Sequence, residues 1–248
     1  MSSSSGTAAK RPVPLASPLL LAIETAGACG GAALVSPAGC LAEFSLTTKG
    51  SHSSRLLPGI EWMLSQAEIA WEQLDAIAVN QGPGSFTGLR IGLATAKGLA
   101  VATGRPLIGI SSLEALACQF PHASLPIRPM VDARKGELYT ALYRCNRQGV
   151  PVRVSDYQLI APARLTELVG EPTLLAGDGL LAHGPLIREL LGDLALAAPG
   201  ELCFARPSAI GHVALRLFRE GCFLDLASAT PLYVRASDAE LQLGNRTS

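Results

Sequence analysis

One pattern occurs twice in this chain and constrains its fold more than any other feature: a short apolar run, an acid at its end, a glycine-bearing turn and a second apolar run. Leu21-Ala22-Ile23-Glu24-Thr25 and Pro129-Met130-Val131-Asp132-Ala133 stand at a constant offset of 108 residues. The match continues without a gap to Ala33-Leu34-Val35 against Ala141-Leu142-Tyr143. Apolar runs of about four to eight residues bounded by glycine, proline and serine read as buried strands. Two such hairpin openings indicate a duplicated unit, with chance similarity between two α/β segments as the alternative.

The elements between the copies extend the pattern. Strands are expected at 19–25, 29–36 and 41–47, then a helix over 52–70, in which Leu56, Leu57, Ile60, Met63, Leu64 and Ala67 recur at three- and four-residue intervals and form one apolar stripe. A central strand over 74–80 stops at Gln81-Gly82-Pro83-Gly84, followed by a helix over 85–103, a strand at 106–110 and a helix at 112–119. After the second copy come a strand-like run at 153–160, a helix near 162–168, and a strand at 173–176. That strand leads into Gly177-Asp178-Gly179 and another helix, an echo of the turn at Gly82-Pro83-Gly84. Two hairpin-led α/β lobes in tandem predict a duplicated actin-like (Hsp70/sugar kinase, ASKHA) fold, each lobe a mixed sheet with flanking helices. The expected division is a disordered tail over 1–17, lobes over 18–120 and 121–235, and a C-terminal tail over 236–248.

Composition narrows the function classes. Of 248 residues, 48% are hydrophobic and 16% charged, against a usual charged share of about 25%, which excludes general disorder. Twenty Lys and Arg balance twenty Asp and Glu. Nucleic-acid affinity comes mainly from phosphate neutralisation, so RNA or DNA held by this chain alone is not expected, save through a local basic patch. Six scattered cysteines without C-x-x-C spacing fit reduced thiols in a cytoplasmic protein rather than a zinc or disulfide framework. Lys10 and Arg11 precede an apolar stretch, but Pro12, Pro14, Pro18 and Glu24 break a secretory h-region. Gly27, Gly30, Gly31, Pro37 and Gly39 argue against a membrane helix in the uncharged stretch that follows.

Two constellations carry chemistry. An acid at a strand's carboxyl end facing a glycine turn at a helix start suits a metal–phosphate group. Glu24 with Thr25 in one lobe, and Asp132 with Gly177, Asp178 and Gly179 in the other, are the candidate nucleotide-binding set. Against it, the turn Ala26-Gly27-Ala28-Cys29 lacks the Lys, Ser or Thr that grip phosphate, and Glu24 equally suits a turn cap. His52, His122, His183 and His212 never fall at metal-ligand spacing, and no Gly-x-Ser-x-Gly elbow occurs. No catalytic residue, metal site or cofactor is therefore expected.

The second constellation is a ladder: Gly84, Gly88, Gly92, Ala96 and Ala100 recur every four residues, with Ser85 placed to cap the helix start. Glycine inside a helix costs about 0.5–1 kcal/mol relative to alanine, and close backbone approach by a packed neighbour offsets it. That neighbour is either the lobe's own interior or a second subunit. The subunit reading pairs this helix and the preceding one with two from a partner. Its interface would comprise His52, Leu56, Leu57, Ile60, Met63, Leu64, Ala67, Gly84, Ser85, Phe86, Gly88, Leu89, Gly92 and Ala96. On it, Gly88→Leu or Gly92→Leu abolishes association and leaves the monomer folded.

The string from Asp75 to Gly92, with Asn80-Gln81-Gly82-Pro83-Gly84-Ser85-Phe86-Thr87-Gly88-Leu89-Arg90-Ile91-Gly92 at its centre, closely resembles the signature of the TsaB (YeaZ) family. His52-Ser53-Ser54-Arg55-Leu56-Leu57-Pro58, Met130-Val131-Asp132-Ala133-Arg134-Lys135-Gly136-Glu137 and Pro231-Leu232-Tyr233-Val234-Arg235 are similar to its other motifs, in order. The resemblance covers about residues 19–235. It implies an actin-like, cytoplasmic accessory subunit of tRNA threonylcarbamoyladenosine biosynthesis that partners a catalytic paralogue, TsaD, and is joined by the ATPase TsaE. That machinery moves threonylcarbamoyl from threonylcarbamoyl-AMP to the N6 amine of the adenosine beside the anticodon, so tRNA is met only through the complex. The isolated subunit is expected to form a homodimer through the same surface. The paralogue's His-x-x-x-His metal pair falls here on Ser112 and Leu116, and the family's first-strand Asp is Glu24. The alternatives are an actin-like ATPase or phosphotransferase with Mg-nucleotide between the lobes, and a glycoprotease-like metallopeptidase homologue.

Overall fold

The computed structural model describes residues 18–47, 53–232 and 234. The expected tails over 1–17 and 236–248, and His52, lie outside the described residues. Strands β1 (Leu20–Glu24), β2 (Cys29–Ser36) and β3 (Gly39–Thr47) form an antiparallel meander. Helix α1 (Ser53–Gln66), strand β4 (Ala76–Gly82), helix α2 (Phe86–Thr103), strand β5 (Leu107–Ser111) and helix α3 (Ser112–Ala117) follow. The second half contains β6 (Ile127–Arg134), β7 (Glu137–Thr140), β8 (Tyr143–Cys145), β9 (Pro151–Arg153), β10 (Gln158–Ile160), α4 (Leu165–Leu168), β11 (Thr173–Ala176), α5 (Asp178–Leu191), β12 (Ala195–Ala197) and α6 (Pro207–Arg219).

The strand orders settle the duplication. One sheet runs β3-β2-β1-β4-β5 and the other β10-β7-β6-β11-β12. In each, the strand carrying the acid pairs antiparallel with its hairpin partner on one side and parallel with a later strand on the other. This is the expected actin-like architecture of two lobes. The two hairpins differ in register. Ala22 faces Ala33, whereas Met130 faces Thr140 rather than Ala141, because a bulge between Asp132 and Arg134 shifts the pairing by one residue. β7 ends at Thr140, and Tyr143 pairs instead with Ile127 at the other end of β6. Likewise the single strand expected at 153–160 is two short ones, β9 on β8 and β10 on β7.

Alternation along β1 divides the first lobe into two layers. Leu19, Leu21 and Ile23 join Leu34, Ile77 and Val79 beneath α1 and α2. Leu20 and Ala22 join Val35, Ala78 and Ile108 on the opposite face. Each fully buried Leu, Ile or Val contributes about 1.5–3 kcal/mol over its exposed state. The second layer brings a correction to the expected boundary. Its cover is α6, whose Ile210, Val213 and Ala214 are buried against that face, and Glu43 of β3 accepts from the Ser208 N–H and hydroxyl at 3.0 Å. From α6 to Leu232 the chain thus packs on the first lobe, not within a second lobe over 121–235. Amphipathicity marks which face of α6 is buried but not which sheet receives it. Among the described residues no helix is long and apolar enough to cross a membrane.

Candidate functional site

The carboxyl ends of β1 and β4 meet the second lobe at a narrow cleft lined by Glu24, Ala26, Asn80, Pro83, Ser112, Leu116 and Asp178, among others. Glu24 is buried at its floor. Its Oε1 accepts the Ala26 N–H at 2.5 Å and its Oε2 the Asn80 amide N–H at 2.5 Å. Asn80 Oδ1 in turn accepts the Gly82 N–H and the Ser112 hydroxyl, both at 2.8 Å. Because the Gly82 N–H can only donate, the Asn80 amide group must point its N–H bonds at Glu24. Burial pushes the Glu24 carboxyl up to about 7, against the lowering pull of the Asn80 amide and the Ala26 and Gly27 N–H groups, with Asp178 adding a further rise. This is the geometry of a turn cap.

Of the remaining nucleotide candidates, only Asp178 lines the cleft with Glu24. Asp178 faces the cleft, its Oδ1 accepting the Asp132 N–H at 2.9 Å, and burial raises its pKa. Asp132 is outside the cleft lining, held by the Arg134 N–H at 2.8 Å and the Arg134 guanidinium at 3.2 Å. A Cβ at Gly177 would stand 2.1 Å from the Met130 carbonyl oxygen, and one at Gly179 2.7 Å from Leu138 Cδ2. These glycines let the turn seat closely on β6. Thr25 is buried and donates its hydroxyl to the Gly88 carbonyl at 2.8 Å. The cleft's cavity volume is about 30 Å³, space for about two waters. No group of three or more metal-ligating side chains occurs among the described residues.

The glycine ladder also seats on its own lobe, which corrects the subunit reading of these residues. A Cβ at Gly84 would stand 2.6 Å from the Ala26 oxygen, at Gly88 2.0 Å from the Thr25 oxygen, and at Gly92 2.2 Å from Thr25 Oγ1. Ser85 donates its N–H to the Ala26 oxygen at 2.7 Å and caps α2 by accepting the Gly88 N–H at 3.2 Å. Leu56, Ile60, Met63, Leu64 and Ala96 are buried in the lobe's core, Ala67 packs against it, and Leu89 is buried. Apart from half-buried Ala67, these side chains are taken up by the lobe's own core, and Gly88→Leu would damage the monomer itself. Of the expected interface set, Leu57, Ser85 and Phe86 remain exposed.

The outward side of α2 is a different surface. Thr87, Arg90, Ala94, Gly98, Val101 and Ala102 are exposed. Val101 is 70% exposed and Trp62, on α1, 60%. Arg90 stacks its guanidinium 3.8 Å from the Phe86 ring centre. Nothing lies within 4 Å of where a Gly98 Cβ would be. Ala94, Gly98 and Ala102 form a second ladder, again every four residues, rotated by about 200° from the first at 100° per residue. The signal was present in the sequence but was masked by the longer glycine series beside it.

Ser112 and Leu116, where the resemblance leads a metal pair of a paralogue to be expected, both reach the cleft from α3, one bonded to Asn80 and the other apolar. Comparison with known proteins bears on this arrangement. The family model described as TsaD, tRNA N6-adenosine threonylcarbamoyltransferase, matches residues 41–191. The tRNA threonylcarbamoyladenosine biosynthesis protein TsaB of Bacillus subtilis is 33% identical over 224 residues, 89% of this chain and 96% of the relative. TsaB of Escherichia coli is 31% identical over 222 residues, 87% and 94% of the two chains. The solved structure of YeaZ from Pseudomonas aeruginosa superposes with a TM-score of 0.73 at 25% identity, over 87% of this chain and 99% of that one. With 31–33% identity to two TsaB proteins over most of the chain and a YeaZ structure matched over 87% of it, the chain belongs to the TsaB (YeaZ) family.

Proposed function

We propose that this chain is the accessory, non-catalytic subunit of tRNA threonylcarbamoyladenosine synthesis, docking on the catalytic paralogue TsaD through the outer faces of α1 and α2. The relatives named for that pathway support the process. The observation that carries the accessory role is the cleft: where the paralogue's histidine pair falls, this chain has a hydroxyl tied to Asn80 and a leucine. A single Ser and a Leu cannot form a first-row metal site. The docking role rests on the outward ladder. Small residues at Ala94, Gly98 and Ala102 let a second helix approach closely, and Leu57, Trp62, Phe86 and Val101 supply apolar flanks. In this reading TsaE joins the pair, tRNA is contacted through the complex, and the chain alone pairs with a second copy by the same surface.

Gly98→Leu tests it. The open space at Gly98 accepts the side chain without disturbing the fold, so the variant should melt no lower than the parent. Its affinity for TsaD should drop by about 100-fold, the scale on which disrupting the well-packed centre of an interface weakens binding. Undiminished co-purification would refute the docking assignment. In a reconstituted reaction the chain without TsaD should form no modified tRNA; turnover by the chain alone would refute the accessory role.

A further inference from the structure

The closing motif around Pro231-Leu232 has no part in the cleft, yet the structure gives it a defined seat. After α6 the chain runs back over the first lobe. The Leu224 N–H donates to the Leu107 oxygen at 2.8 Å, an antiparallel bridge on β5, the open edge of the five-stranded sheet. A turn follows in which Asp225 accepts from Ser228 N–H and hydroxyl at 3.0 and 2.7 Å, and these bonds, with Lys97 of α2 alongside, lower the Asp225 pKa. Ala229 is buried in the core shared by α1 and α2, with Leu224 and Leu226 packed against it. Leu232 then donates its N–H to the Gln81 oxygen at 2.7 Å, while the Gln81 amide donates to the Thr230 oxygen at 3.1 Å.

Gln81 is therefore bonded to the returning chain through both its main chain and its side chain. The side chain lies over Gly109, where a Cβ would stand 1.9 Å from Gln81 Oε1. Four residues on, Ser85 caps α2. Between them Gly82 is close to the Leu232 oxygen and to Leu89 of α2, at 3.1 and 3.0 Å from a Cβ placed there. The turn that launches α2 is thus gripped from one side by Thr25 and Ala26 and from the other by the returning chain.

We propose that residues 222–232 are a strap that holds the first turn of α2 in its docking position, with Gln81 as the positioning residue that buckles it. This use of α2 rests on the docking role above; the mechanical coupling does not. Gln81→Met keeps length and packing over Gly109 but removes the donor to Thr230, and Leu232→Pro removes the N–H given to the Gln81 oxygen. Native-state hydrogen exchange on the full chain, without partner, should show faster exchange at residues 224–232 and also at residues 85–90. The acceleration should be about five- to tenfold, the equivalent of one net hydrogen bond, with β1 and β4 unchanged. Faster exchange in the strap alone, with the start of α2 as protected as before, would overturn the proposal. TsaD affinity measured on the same variants separates the two readings. A parallel loss supports strap and docking together, whereas coupled exchange with unchanged affinity keeps the strap and removes α2 from the docking surface.

Discussion

The inner and outer faces of α2 carry the same kind of pattern, small residues every four positions, and they meet opposite fates. Inside, Gly84 and Gly88 are pressed on the backbone of Ala26 and Thr25, and Gly92 on the Thr25 side chain, so closely that no Cβ fits without a shift. Outside, Ala94, Gly98 and Ala102 face open space. A four-residue ladder announces that something will come close; it does not say whether that is the chain's own β1 or another molecule. The difference is decided by which side of the helix also carries the large apolar residues. Leu89 and Leu93 share the inner face and are buried, and that commits the face to the core.

The contrast breaks first at Gly88. Gly88→Leu drives a side chain into the Thr25 carbonyl, and the cost should be about 3 kcal/mol or more, a large share of a domain's total stability. Chemical denaturation, or loss of soluble protein, reads this directly. The floor of the same turn should respond to pH. Burial holds Glu24 near 7 in the folded chain, against 4.5 when exposed, so folding favours the neutral acid. Its stabilising share is complete below pH 4.5 and is lost as pH rises through 7. Fold stability should fall across that window by at most about 3 kcal/mol, and Glu24→Gln should flatten the decline. The smallest effect is expected at Thr25. Thr25→Val removes the hydroxyl bonded to the Gly88 oxygen and should cost about 1 kcal/mol, while Thr25→Ser should cost less, as equilibrium unfolding would show.

Much of the fold was legible because its signals are local. The acid-ended runs at Glu24 and Asp132, the stripe of α1 and the Ser85 cap each report their own element, and the strand order repeats in both lobes. What was not legible was relational. Ile210, Val213 and Ala214 mark a buried face on α6, but nothing local says that it returns to the first sheet. The bulge between Asp132 and Arg134 in the second hairpin is invisible to an ungapped match, since it shifts the pairing without adding or removing a residue. At the cleft, Glu24 and Asp178 were found from their strand and helix ends. Asn80 and Ser112, which orient Glu24, carry no motif of their own and emerge only when β4 and α3 are brought beside β1.

The central claim is that α2 gives one face to its own core and the other to a partner. Solvent access at position 98 tests it most directly, with Gly98→Cys labelled by a bulky maleimide and the modified peptide followed by mass spectrometry. In the dilute free chain the thiol should react at the rate of an exposed cysteine. With saturating TsaD it should react at least about tenfold more slowly, as burial in an interface core requires. Equal rates with and without the partner would contradict the account.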